Sequence, residues 1–199
     1  MTDTTIDFNF NTAGEQRSLD VVPANTICTL QLTIRRGGAG DDGWLKRSAD
    51  GASEGLDCEF TVVDGQYAKR KLWQLFTLRG TTPGHAEAGE ISRNTLRAIL
   101  ESARGIRPDD KSEAAQNARK VSSWADFDQL RFIARLGVRP PRDGYKAKNT
   151  IEEAITPDRQ GWQKPEQIGA GPANAGKQPT ATTPQPAPAN AIARPQWAG

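Results

Sequence analysis

The sequence predicts a mainly β domain with one principal helix, followed by a disordered tail. Three observations lead there. Apolar and polar residues alternate in several stretches between residues 26 and 139, the period of a half-buried strand. One stretch, ISRNTLRAILESARGI, instead places Leu96, Ile99, Leu100 and Ala103 at helical spacing. From Pro165 onward the chain turns to Pro, Ala, Gln and Asn, and holds seven of the thirteen prolines.

The first strand is TICTLQLTIR, with Cys28, Leu30, Leu32 and Ile34 on one face and Thr29, Gln31, Thr33 and Arg35 on the other. LDCEFTVV gathers Leu56, Cys58, Phe60 and Val62 in the same way. Asp64-Gly65 is a turn signal, and QYAKRKLWQLFTL reads as the return strand. A three-residue loop at 64–66 sets Cys58 beside Leu72 inside and Glu59 beside Lys71 outside, whereas a two-residue loop mixes the faces. The helix follows, capped by Ser92 or Asn94 and stopped by Gly105 and Pro108. A second short helix is expected over 111–121. QLRFIARLGVR is the clearest strand, with Leu130, Phe132, Ala134, Leu136 and Val138 on one parity and Arg131, Arg135 and Arg139 on the other. GYKAKNTIEEAI completes the set.

The order β-β-β-α-β-β is that of an OB-fold, a five-stranded, partly open barrel whose face and loops bind oligonucleotides. The expected division is an N-terminal extension (1–20), an OB-fold-like nucleic-acid-binding domain (21–164) and a tail (165–199) too poor in apolar residues to offset the entropy of ordering. Residues 1–64 carry five cations against eleven carboxylates, and residues 65–164 nineteen against twelve. A basic second half attracts polyanions.

Several classes find no support. No apolar run is long enough to span a membrane, and the acidic N-terminus lacks the pattern of a signal peptide, so a cytoplasmic protein is expected. Cys28 and Cys58 then read as reduced, buried thiols. One histidine, His85, and two separated cysteines form no zinc constellation. Gly38, Gly40 and Gly43 match G-x-G-x-x-G, but WLKRSADGASEGL follows instead of the helix a dinucleotide needs. Asp109-Asp110, Asp126/Asp128 and Glu152-Glu153 read as turn and cap carboxylates rather than a nuclease's magnesium ligands. No catalysis and no cofactor are expected.

Basic residues interleaved with aromatics on strands suit single-stranded nucleic acid, whose phosphates need cations and whose bases stack on rings. Tyr67, Lys69, Lys71 and Trp73 share the outward parity of the return strand. Arg131, Arg135 and Arg139 recur every fourth residue, roughly 13 Å apart at strand rise. Lys146 and Lys148 follow beside Tyr145, and Trp44 and Arg47 are candidate clamps in the first loop. The structural alternatives are a cross-strand charge ladder of Lys69 and Lys71 with Asp57 and Glu59, and a core role for Trp73. The expected partner is single-stranded DNA or RNA; a homo-oligomer is compatible with the sequence. A rival is a protein-docking module using Ile133, Ile27 and Val63 as an outward apolar patch.

Three motifs carry a resemblance: Tyr67, Arg70, Lys71 and Trp73; then Leu96 to Leu100; then Tyr145, Lys148, Asn149 and Ile151. Over about residues 20–158 the chain resembles phage and prophage proteins described as single-stranded-DNA-binding-like. The resemblance implies an OB-like domain in phage replication or recombination within a bacterial host cell. Many single-stranded-DNA-binding proteins recruit replication partners through an acidic tail with a hydrophobic tip. This tail ends ARPQWAG with almost no acid, so any recruitment of a replication or recombination protein rests on chemistry around Trp197.

Overall fold

A computed structural model of the chain describes Asn11, residues 20–142 and residues 144–167. The elements are β1 (Ile27–Arg35), β2 (Lys46–Arg47), β3 (Ser53–Val62), β4 (Lys71–Gly80), α1 (Pro83–Arg104), α2 (Glu113–Arg119), β5 (Arg131–Arg139) and β6 (Lys148–Ala154). A short 3-10 helix, Trp124–Phe127, precedes β5. The strands form one antiparallel sheet in the order β4–β3–β1–β5–β6, and the two-residue β2 extends the β1 side of β3. The five expected strands are present and β2 is additional. Among the described residues no ladder joins β4 to β6, so the sheet is open where a closed barrel would pair them.

The alternation seen in the sequence sets the faces. Leu30, Leu32, Leu56, Phe60, Phe132 and Leu136 are all fully buried on the inner face. Phe60, on β3, meets the rings of Phe76 and Phe132 edge-on at centroid distances of 6.2 and 5.8 Å. The β3–β4 register differs from expectation: Phe60 pairs with Leu72 and Cys58 with Gln74, two residues along from the three-residue-loop alignment. The turn is longer, because Lys69 N donates back to Val62 O and Val62 N to Arg70 O. An even slip keeps every side chain on its face, which is why the inner and outer sets survive it.

Helix α1 begins nine residues before Ser92, not at it. Thr82 is the N-cap, its hydroxyl accepting from His85 N at 3.2 Å, and Pro83 takes the first helical position. His85 therefore lies in the first turn of α1. Gly105 ends the helix with φ of 70°, its N–H donating to Glu101 O. Leu96, Ile99, Leu100 and Ala103 face the core as the periodicity indicated. Behind α1, Arg119 of α2 reaches the buried Glu101 carboxylate at 2.7 Å and donates to the carbonyls of Arg107 and Asp110, tying the loop to both helices.

Residues 155–167 form a strap that returns over β5. Ile155 N donates to Ile133 O, Trp162 Nε1 donates to Ser102 O at 3.0 Å, and Pro165 is buried. Gln167 then uses its side-chain amide as a strand residue would use its backbone: Oε1 accepts from Arg131 N at 2.9 Å and Nε2 donates to Arg131 O at 2.8 Å. Contacts thus continue past the composition change at Pro165 as far as Gln167. Residues 168–199, including Trp197, lie outside the described residues, as do residues 1–10 and 12–19 of the N-terminal extension.

Candidate nucleic-acid interface

The outer face of the sheet is where the strand parity sends the polar side chains, and the ladder aligns them in rows. One row runs Lys71, Thr61, Gln31, Arg131 across β4, β3, β1 and β5. The next begins Trp73, Glu59, Thr33. Trp73 is 51% exposed although its Nε1 donates to Glu59 Oε2 at 3.1 Å. The other oxygen of Glu59 accepts from Lys71 Nζ at 2.6 Å. The Lys71 ammonium and the indole N–H together hold the Glu59 carboxyl below its ordinary range. In the adjacent row Asp57 accepts from Lys46 at 2.9 Å and faces Arg35 at 3.9 Å. Arg131 meets no carboxylate among the described residues. Its Nε donates to Gln31 Oε1 at 3.2 Å and its Nη1 to Glu166 O at 3.3 Å. Arg35, Lys46 and Lys71 therefore surround the two carboxylates, Asp57 and Glu59, while Arg131 stands apart from both on the same face.

Glu54 receives two guanidinium groups, Arg47 Nε at 2.7 Å and Arg79 Nε at 2.6 Å, and these hydrogen bonds lower its pKa. Arg47 is thus an ion-pair partner at the end of β3, where a clamp was expected.

Other expected site residues fall elsewhere. Trp44 is buried in the core, with the Arg36 guanidinium 3.8 Å above its ring, so it presents no platform for a base. Tyr67 and Lys69 lie in the β3–β4 turn rather than on the strand's outer face: Tyr67 packs half-buried against the core, and Lys69 adopts φ of 70°. Arg135 is partly neutralised by Glu153 at 3.5 Å. Between Arg131 and Arg135 stands Ile133, buried at 6% exposure, so it takes no part in the outward apolar patch expected with Ile27 and Val63, of which Ile27 is exposed. Arg139, Tyr145, Lys146 and Lys148 gather at the β5–β6 hairpin, away from the Trp73 row.

Arg35, Lys46 and Gln31 are members of this face that the sequence reading did not single out. Their signal was the shared parity of Gln31, Thr33 and Arg35. The glycine-rich stretch is a tight loop, with Gly38, Gly40 and Gly43 at φ of 76°, 79° and 71° and Ala39 bridged to Leu45, and no helix follows it before β3. These carboxylates have partners: Asp110 accepts from Ser112 N, Asp126 from Ser122 N and Asp128 from Ile34 N on β1, while Asp109 pairs with Arg107. Asn149, singled out by the motif resemblance, is architectural. Its amide exchanges two hydrogen bonds with the backbone of Val22, at 2.9 and 2.7 Å. Among the described residues no helix is long and apolar enough to cross a membrane. No protein-family model matches the chain, and none of the curated proteins searched matches it.

Proposed function

We propose that this chain is a non-catalytic protein that binds single-stranded DNA on the outer face of an OB-like sheet, in phage or prophage replication or recombination. The observation that carries the reading is the Trp73 row: an exposed indole on a sheet face where three cations surround two carboxylates and Arg131 meets none. A base stacks on Trp73, and the phosphates on either side meet Lys71 and Arg131. The strand order supports the OB-like reading, since β3 and β4 with the β1–β3 and β5–β6 loops are the elements such folds use for oligonucleotides. The resemblance noted above supplies the phage context.

The test is fluorescence anisotropy with a labelled oligo-dT of about 30 nucleotides, its RNA counterpart and a duplex, at two salt concentrations. Binding to the single strand should weaken as salt rises, with a logarithmic slope near −0.7 per phosphate neutralised. No binding at low salt would overturn the reading. One observation favours a protein-docking alternative: Leu75 is exposed beside Trp73 on the same face, an apolar pair on β4. Leu75→Ser separates the two, weakening a protein contact while leaving the salt slope for DNA unchanged.

A further inference from the structure

One edge of the sheet, β4, leaves a line of main-chain groups unused. Val62 N donates to Arg70 O and Lys69 N donates to Val62 O, so Val62 is a hydrogen-bonded position of the β3–β4 ladder. Bonded and non-bonded pairs alternate along an antiparallel ladder. Leu72, Gln74 and Phe76 therefore turn their N–H and C=O groups towards β3, while Lys71, Trp73, Leu75 and Thr77 turn theirs away. Among the described residues nothing takes these groups, and no ladder joins β4 to β6. Gln74 and Ile151, on the inner parity of β4 and β6, are each only half-buried, so the two strand edges stand apart at this level. The free stretch ends at Leu78, whose carbonyl accepts from Arg93 Nη1 at 3.4 Å where Gly89 brings α1 against it.

Natural edge strands are defended by proline, by charge or by bulges. Lys71–Gly80 contains no proline, and the irregularity between Glu54 and Gly55 falls beyond the free stretch. Its two cations are neutralised from the neighbouring strand, Lys71 by Glu59 and Arg79 by Glu54. Between them Trp73 and Leu75 are exposed.

The outward residues Lys71, Trp73, Leu75 and Thr77 read polar, apolar, apolar, polar, a pattern that is the same in either direction. Antiparallel pairing with an identical strand about Gln74 sets Trp73 against Leu75 twice and Lys71 against Thr77 twice. Each apolar side chain meets an apolar one, and no charge meets a like charge directly. On the axis Gln74 faces its own copy. Its amide has no hydrogen-bond partner among the described residues, and each primary amide offers the donor and the acceptor that the other takes.

We propose that β4 is a homodimerisation edge: two copies of this chain pair antiparallel about a two-fold axis at Gln74 and join their sheets into one. Such an isologous contact occupies both β4 edges, and the strap covers the end of β5, so assembly stops at two copies.

The experiment is sedimentation velocity of the full chain without nucleic acid, over about 1 μM to 1 mM, the range suited to a small interface. The wild type should pass from monomer to dimer. Trp73→Lys and Leu75→Glu should each weaken the dimer by about twofold to thirtyfold, the loss of two cross-strand pairs. Both positions are exposed, and melting temperatures close to that of the wild type show that both variants fold. An equimolar mixture of the two should associate more tightly than either alone. In the mixed dimer the introduced lysine faces the introduced glutamate, and the other Trp73–Leu75 pair is native. A wild type that stays monomeric, or variants that dimerise as it does, would overturn the proposal, and so would a mixture no tighter than its components.

Discussion

Trp73 and Glu59 are cross-strand partners on β4 and β3, and the indole N–H donates to the carboxylate at 3.1 Å. The bond fixes an exposed ring that would otherwise rotate, with Lys71 completing the triangle on the other oxygen. Glu59 thus positions the ring proposed to stack a base. Trp73→Ala should cost about 1–3 kcal/mol of single-strand affinity. Glu59→Gln should cost less and leave quenching of Trp73 fluorescence by oligonucleotide detectable. Titration followed by anisotropy and tryptophan emission checks both.

Removing one member of the buried pair Arg119–Glu101 should be far more damaging to stability. Glu101 is 3% exposed and accepts from Arg119 at 2.7 Å and from Arg97 at 2.9 Å. Arg119→Ala leaves the carboxylate without its better-buried partner and frees the loop carbonyls. A loss of about 3–5 kcal/mol is expected, read from urea unfolding.

Gly55 leaves no room for a side chain, since a Cβ there would lie 2.3 Å from Phe76 O on the neighbouring strand. Gly55→Ala must push β3 from β4 at the bulge between Glu54 and Gly55. The expected cost is about 1–3 kcal/mol, with a lowered thermal midpoint.

Both thiols should be unreactive in the folded protein. Burial pushes Cys28 from its ordinary value near 9 up to about 11 and Cys58 up to about 12, with Asp64 and Asp57 adding to it. The folded state therefore keeps these protons where the unfolded chain releases them. Their contribution to stability is full below pH 9 and falls as pH rises from 9 through 11 to 12. Thiol labelling at pH 8 should be slow until denaturant is added, and the unfolding midpoint should drop above pH 9.

The sequence made the faces legible but not the alignments. Alternation assigns Leu56, Cys58 and Phe60 to one side whatever the register, so a slip of two residues between β3 and β4 leaves no trace in the pattern. What set the true register was the Val62–Lys69 turn closed by a lysine at positive φ, which residue preferences do not announce. Thr82-Pro83 was a readable helix start, obscured by Gly84 and Gly89 in the turns that follow. Gly89 is tolerated because a Cβ there would sit 3.0 Å from Leu78 O, where helix and strand approach closely. Trp44 reads as a clamp from the sequence because loops of an OB-fold close on the bound strand; its burial beneath Arg36 is a tertiary event with no local signature. Of the expected site, Trp73, Lys71 and Arg131 share one face, while Arg139, Tyr145, Lys146 and Lys148 lie at the β5–β6 hairpin.

The amide of Gln167 has a consequence beyond holding the strap. β6 ends at Ala154, paired with Ala134, so on that side Arg131 and Ile133 project past the end of their partner strand. All four of their backbone groups are taken: those of Arg131 by Gln167, the N–H of Ile133 by Ser102 Oγ and its carbonyl by Ile155 N. A bare strand end of this kind recruits other chains into intermolecular sheets. Here the helix and the strap act as a stopper, and the molecule guards itself against self-association. Gln167→Ala should cost only about 1 kcal/mol in unfolding, yet light scattering on concentrated protein should show it clumping sooner than the wild type.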